Sequence, residues 1–134
     1  MPNRTDLVAG GILVAASLAG VVLWPQLPGE LAIHFDASGT PDDYVSKPVG
    51  IVLAPIIGLV TLGAVRLAIR VDPTADHSVA DATVLFLGSI IAYIHGLVLV
   101  YNLGYRFSMN VALIPVFVAA AILVGYALVR EGVL

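Results

Sequence analysis

Long apolar runs separated by short polar breaks make up this chain. Leu7 to Trp24 is apolar without interruption, and comparable runs cover about residues 48–69, 82–103 and 111–129. At about 1.5 Å of rise per residue, the first run reaches roughly 27 Å, close to the hydrocarbon thickness of about 30 Å. The pattern predicts an all-α fold, an integral membrane four-helix bundle forming one domain over residues 1–134. A polar loop, residues 25–47, lies between the first two helices. The first run is longer than a signal-peptide core of about 7–15 residues and closes on Val22-Leu23-Trp24-Pro25, which suits an interfacial anchor better than a cleavage site. It is therefore read as a retained helix. Gly104–Ser108 is short enough to force the last two helices into an antiparallel pair, and Asp72-Pro73 marks a turn within an acidic connector at 71–81.

Composition strengthens the membrane assignment. Hydrophobic residues are 60%, charged residues 11%, and mean hydropathy is +1.03. A soluble domain carries about 25% charge, so these few charges could not cover a water-facing surface. The chain has no cysteine, which removes disulfides, thiolate nucleophiles, Cys–zinc sites and iron–sulfur clusters. The net charge of −3 includes no basic cluster, so nucleic acid is not an expected partner.

An even number of spans puts both termini on one side, together with Arg4, Arg66, Arg70 and Arg130. The other side holds Lys47 and Arg106. By the positive-inside rule this predicts cytoplasmic termini in a cell membrane and an extracytoplasmic 25–47 loop. Gly11, Ala15 and Ala19 on the first helix, and Gly88, Ala92 and Gly96 on the third, recur at the spacing that lets membrane helices approach closely.

Candidate chemistry gathers in the loop. His34, Phe35, Asp36, Gly39, Pro41, Asp42, Asp43, Ser46 and Lys47 form a polar island with turn chemistry. Apolar Ile33 and Phe35 alternate with His34 and Asp36, which predicts an extended run over 31–36. Asp36–Gly39 has the makings of an Asx-type turn. Thr40-Pro41-Asp42-Asp43 reads as a helix start, with Thr40 as N-cap, Pro41 at the first helical position and acids facing the positive end. Asp36, Ser38, Thr40 and Asp42 match positions 1, 3, 5 and 7 of a calcium loop. However, Gly39 is out of place and Lys47 stands where the closing Glu belongs, so an EF-hand is not expected. His34, Asp42 and Asp43 are candidate ligands for a transition metal, but only with a further ligand from elsewhere.

Inside the membrane, His95 and Asn102 lie seven residues apart on one face of the third helix, and an ionisable residue at that depth usually faces the bundle interior. Pro115 is positioned to bend the last helix. No HExxH, GxSxG, P-loop or dinucleotide glycine pattern occurs, and Ser17, Ser38 and Ser89 have no neighbouring base that would mark a nucleophile.

Leu27-Pro28, Ile33-His34-Phe35, Gly39-x-Pro41-Asp42 and Ser46-Lys47 entering an apolar helix resemble the N-terminal membrane domain of unknown function of SdpI-type immunity proteins. That family protects bacteria against a secreted peptide toxin, and its loop signature approximates HFxxxGxPDxxxSK. His95 and Asn102-Leu103-Gly104 also resemble the family pattern. Ala32 stands where the family often has Pro, and the family's C-terminal Gly-Asn pair is represented by Gly125-Tyr126 alone. The resemblance implies the fold and topology, and His34, Phe35, Gly39, Pro41, Asp42, Ser46 and Lys47 as signature positions without a catalytic role.

These features lead to an expectation of a small multi-pass, non-enzymatic protein of recognition, immunity or signalling, using the 25–47 loop and needing no cofactor. Its expected partners are the lipid bilayer, a peptide or membrane protein at the outer loop, and further copies or a larger complex. The alternatives are a small proton-coupled transporter using His95 and Asn102, an accessory subunit of a larger membrane complex, and a metal-dependent membrane enzyme.

Overall fold

The computed structural model describes all residues, Met1–Leu134. Its long helices are α1 (Arg4–Val22), α2 (Lys47–Val71), α3 (His77–Asn102) and α5 (Ile114–Arg130), with a one-turn α4 (Met109–Ala112) leading into α5. All four spans are long and apolar enough to cross a membrane when α4 is taken with α5. The all-α membrane bundle expected from the apolar runs is thus present, with one β element added to it.

Helix ends follow local capping chemistry rather than the limits of the apolar runs. α1 starts earlier than the run, because Asn3 and Asp6 form a reciprocal capping box. α3 also starts early: Asp76 accepts from the Ser78 and Val79 amides, so the expected 71–81 connector shrinks to Asp72–Asp76. The last run is divided at Leu113, where Pro115 lies in the first turn of α5. Pro can begin a helix but cannot continue the hydrogen-bond ladder from the turn before it.

The 25–47 segment departs most from expectation. After a 3-10 turn at Trp24–Gln26, it forms an antiparallel hairpin of β1 (Glu30–Phe35) and β2 (Pro41–Ser46). The extended run over 31–36 is present as β1. The helix expected from Thr40 is not: Pro41–Asp43 belong to β2. Pairing with β1 overrides the local helix-start chemistry, and Pro41 takes the first position of an outer strand, where its missing N–H does no harm.

Packing runs chiefly through α1, α2 and α3, while α5 leans on α3 and buries no residue fully. One cluster joins Ala9, Leu13, Leu62 and Val84; a second, beneath the hairpin, joins Leu27, Leu31, Ile51 and Leu99. Gly88 is tightly seated, since a Cβ there would lie 3.0 Å from the Cβ of Ala9. Gly11, Ala15 and Ala19, by contrast, are exposed. The face of α1 that meets its neighbours carries Ala9, Leu13 and Gly20 instead.

Candidate recognition hairpin

The hairpin is built around one carboxylate. Asp36 Oδ1 accepts from the Ser38 amide (2.9 Å), the Ser38 hydroxyl (2.6 Å) and the Thr40 amide (3.0 Å). These bonds hold the Asp36 carboxyl below its ordinary pKa, with the Ser38 hydroxyl the largest cause. Gly39 completes the turn at φ +80°, a backbone region that disfavours any side chain. The Asx-type turn expected at 36–39 is therefore present.

Asn102 fixes the hairpin to the bundle. Its Oδ1 accepts from the Ala32 amide (2.8 Å), and its Nδ2 donates to the Ala32 carbonyl (2.9 Å) and to the Val98 carbonyl (2.8 Å). In an antiparallel ladder, N–H and C=O of one residue point to the same side. Both Ala32 groups meet Asn102, so they point away from β2, and the carboxamide caps the outer edge of β1 as a neighbouring strand would. Consistently, the Lys47 amide reaches the Gly29 carbonyl on the inner side (2.9 Å). The tip is held separately, by Asn110 Nδ2 donating to the Ala37 carbonyl (2.9 Å). At the base, Lys47 Nζ donates to the Trp24 carbonyl (3.0 Å) and lies 5.0 Å from the Trp24 ring centre. Phe35 stacks edge-on against Tyr101 at 4.9 Å, and Arg106 covers Tyr101 at 4.6 Å.

The outer edge of β2 is blunted by its own residues. Pro41 has no amide proton to offer, and the Asp43 carboxylate accepts from the Tyr44 amide (2.9 Å). Edge strands protected in this way resist pairing with a further strand. What remains accessible is side-chain chemistry. His34 Nδ1 lies 2.5 Å from Asp42 Oδ1, with the two side chains 68% and 45% exposed. The Asp42 hydrogen bond and charge raise the His34 pKa above its ordinary 6.5. Glu30, Asp36, Asp42 and Asp43 make this surface mainly acidic, because Lys47 is taken up by Trp24.

The structure thus unites His34 with Asp42, and places Phe35, Gly39, Pro41, Asp43 and Ser46 in one hairpin, with Lys47 opening α2 at its base. Ser46 sits at the head of α2 without a side-chain capping bond. No three His, Asp or Glu side chains gather in a geometry that could hold a metal ion, and of the candidate ligands His34, Asp42 and Asp43 the first two are paired. Asn102 and His95 do not form one site either, since Asn102 is engaged with the hairpin. Tyr101, Arg106 and Asn110 had no sequence signal beyond being polar or aromatic residues near the ends of apolar runs.

Comparison with known proteins places a family match over this region. Residues 11–59 match a domain of unknown function, DUF1648. The match runs from within α1, through the hairpin, to the middle of α2. An uncharacterized membrane protein of Bacillus subtilis (strain 168), YbgB, is 36% identical over 53 residues, which cover 40% of this chain and 58% of the relative. The alignment therefore spans less than two thirds of that relative. No solved structure matches the chain.

Proposed function

We propose that this small multi-pass membrane protein is a non-enzymatic recognition protein that engages a polar or cationic segment of a peptide or membrane-protein partner through its hairpin. One observation carries the reading: an acidic hairpin with an exposed His34–Asp42 pair is clamped to an apolar bundle by Asn102, Asn110 and Lys47. Such anchoring limits the ordering cost of binding. The blunted strand edges favour contact through side chains over strand addition. The resemblance to SdpI-type proteins supports an immunity or signalling setting, and the cation count supports cytoplasmic termini with the hairpin outside. A carrier using His95 and Asn102 together is less well supported, because both amide donors of Asn102 are already committed.

A photo-crosslinking residue at Tyr44, which is exposed on β2, tests the reading in native membranes. A crosslinked partner is expected in the otherwise unaltered protein, with at least a fivefold loss in the His34→Ala/Asp42→Ala double variant and at high salt. Equal crosslinking in both proteins, or none in either, would count against recognition by this face. Single cysteines introduced at Ser38 and Ser78 in this cysteine-free chain report the orientation by their labelling with an impermeant reagent.

A further inference from the structure

Arg106 lies in the connector between α3 and α4, at the hairpin end of the bundle. Its Nη1 donates to the Tyr101 carbonyl at 3.1 Å, and its guanidinium carbon stands 4.6 Å from the centre of the Tyr101 ring. An arginine offers several N–H donors, and this bond uses only one nitrogen. None of the chain's ion pairs includes Arg106, which is exposed. The residue is thus a cation held in place by a carbonyl and a ring, with no counter-charge from the protein.

Next to it, between α3 and α4, is an open groove of about 410 Å³. Leu97, Val100 and Val111 line it with hydrocarbon, and the connector contributes Phe107. The Phe107 ring meets the Tyr101 ring edge-on at 6.0 Å. Tyr101 therefore links the cation to the groove, since its ring contacts both the guanidinium and one wall. Val100 and Val111 are 40% and 62% exposed, so the groove opens away from the bundle, where a spanning chain meets lipid. A phospholipid carries the matching pair of features at this level, a phosphate beside its acyl chains. The guanidinium fork suits phosphate oxygens. Choline and ethanolamine headgroups bring their own cation, so a headgroup with net negative charge gains most from Arg106. Free phosphate would leave the groove empty, and an uncharged lipid would leave the cation unpaired.

We propose that Arg106 and the α3–α4 groove bind an anionic phospholipid, its phosphate on the guanidinium and one acyl chain along Val100 and Val111. The Tyr101 contacts fix the guanidinium before the lipid arrives, which lowers the ordering cost of binding. The site belongs to the leaflet at the hairpin end.

The test uses the full chain in phosphatidylcholine nanodiscs doped with phosphatidylglycerol, phosphatidylcholine or diacylglycerol, each carrying the same diazirine-bearing acyl chain. The phosphatidylglycerol probe is expected to label residues 97–112 saturably, at least fivefold more than either of the others. Unlabelled phosphatidylglycerol should displace it, and inorganic phosphate should not. Arg106→Gln, which keeps an N–H donor for the Tyr101 carbonyl but no charge, should bring labelling down to the phosphatidylcholine level. Amide exchange at Ala32 should stay unchanged in that variant, showing the hairpin end intact. Arg70→Gln, at an exposed arginine in the last turn of α2, should have no effect. Val111→Trp fills the groove from an exposed position and should reduce labelling at least fivefold without touching the cation. Val124→Trp, at a comparably exposed site on α5, should leave it unchanged. Equal labelling by phosphatidylglycerol and phosphatidylcholine would overturn the proposal, as would displacement by inorganic phosphate. A preference for phosphatidylglycerol that survives Arg106→Gln would do so too, leaving Arg106 as a cap on α3 alone.

Discussion

The two ends of the bundle are fastened by different chemistry. Where the termini meet, Arg66 of α2 binds Asp6 of α1 and Asp81 of α3, both at 2.5 Å, and Asn3 bonds Asp81 at 3.0 Å. One guanidinium thus joins three helices, with Arg130 adding α5 through Asp76 at 3.0 Å. At the hairpin end, apart from Lys47 on the Trp24 carbonyl at the base, the fastenings are the neutral carboxamides of Asn102 and Asn110, aimed at backbone groups. Helix ends can be tied by charge because their side chains project toward one another. A strand edge exposes alternating N–H and C=O groups, and only a group that both donates and accepts satisfies the pair. Asn does this; Arg and Asp cannot.

Removing the charged fastening should have the largest effect. Arg66→Met leaves Asp6 and Asp81 without their cation at a partly buried site, the Arg66 side chain being 18% exposed. Breaking a fully buried pair costs about 3–5 kcal/mol, so about 2–3 kcal/mol is expected here. Denaturation in detergent micelles would measure it, and adding Asp6→Asn and Asp81→Asn should recover most of the loss.

The neutral fastening should fail more locally. Asn102→Leu strands the Ala32 amide and carbonyl, at about 1–3 kcal/mol for unsatisfied groups. Amide exchange at Ala32 should accelerate while Ala9 and Val84, nearer the other end, stay protected. Uniform acceleration through α1 and α3 would show that the two ends are not separable.

A smaller effect, confined to the turn, is expected from Gly39→Ala at φ +80°. A left-handed non-glycine residue costs about 1–2 kcal/mol. Faster exchange of the Thr40 amide with unchanged exchange at Ala32 would confirm that Asn102 isolates the base of the hairpin from its tip.

The exposed pair should matter least for stability and most for charge. His34→Ala is expected to leave the melting temperature unchanged while altering the surface a partner meets. The folded pKa of His34 lies above its unfolded value. Its pairing therefore contributes fully below the ordinary value of about 6.5 and is lost as pH rises through the raised one. Titration by NMR should find the His34 midpoint above the ordinary value, returning toward it in Asp42→Asn. An unaltered midpoint in that variant would separate the two side chains in solution.

Part of this architecture was legible from local chemistry. Four apolar runs of bilayer length made the spans predictable, because hydrocarbon tolerates little else. The Asp36–Gly39 turn was legible too, since one carboxylate closes it within four residues. Thr40–Asp43 misled for the same reason: its local signals suit a helix start, and only pairing with residues 30–35 makes it a strand.

The amino-acid sequence by itself determined a membrane bundle with one polar insertion, because length and hydropathy act without reference to neighbours. Tertiary structure decided what each polar residue does. Asn102 and His95 share a helix face by spacing, yet Asn102 meets Ala32, 70 positions away in the chain, and His95 is left unpaired. The small residues of α1 divide in the same way, Gly20 lying in a seam and Gly11 facing outward. Close approach depends on the shape of the opposing helix, and so does the satisfaction of a hydrogen bond. Both are properties of pairs of segments distant in the chain.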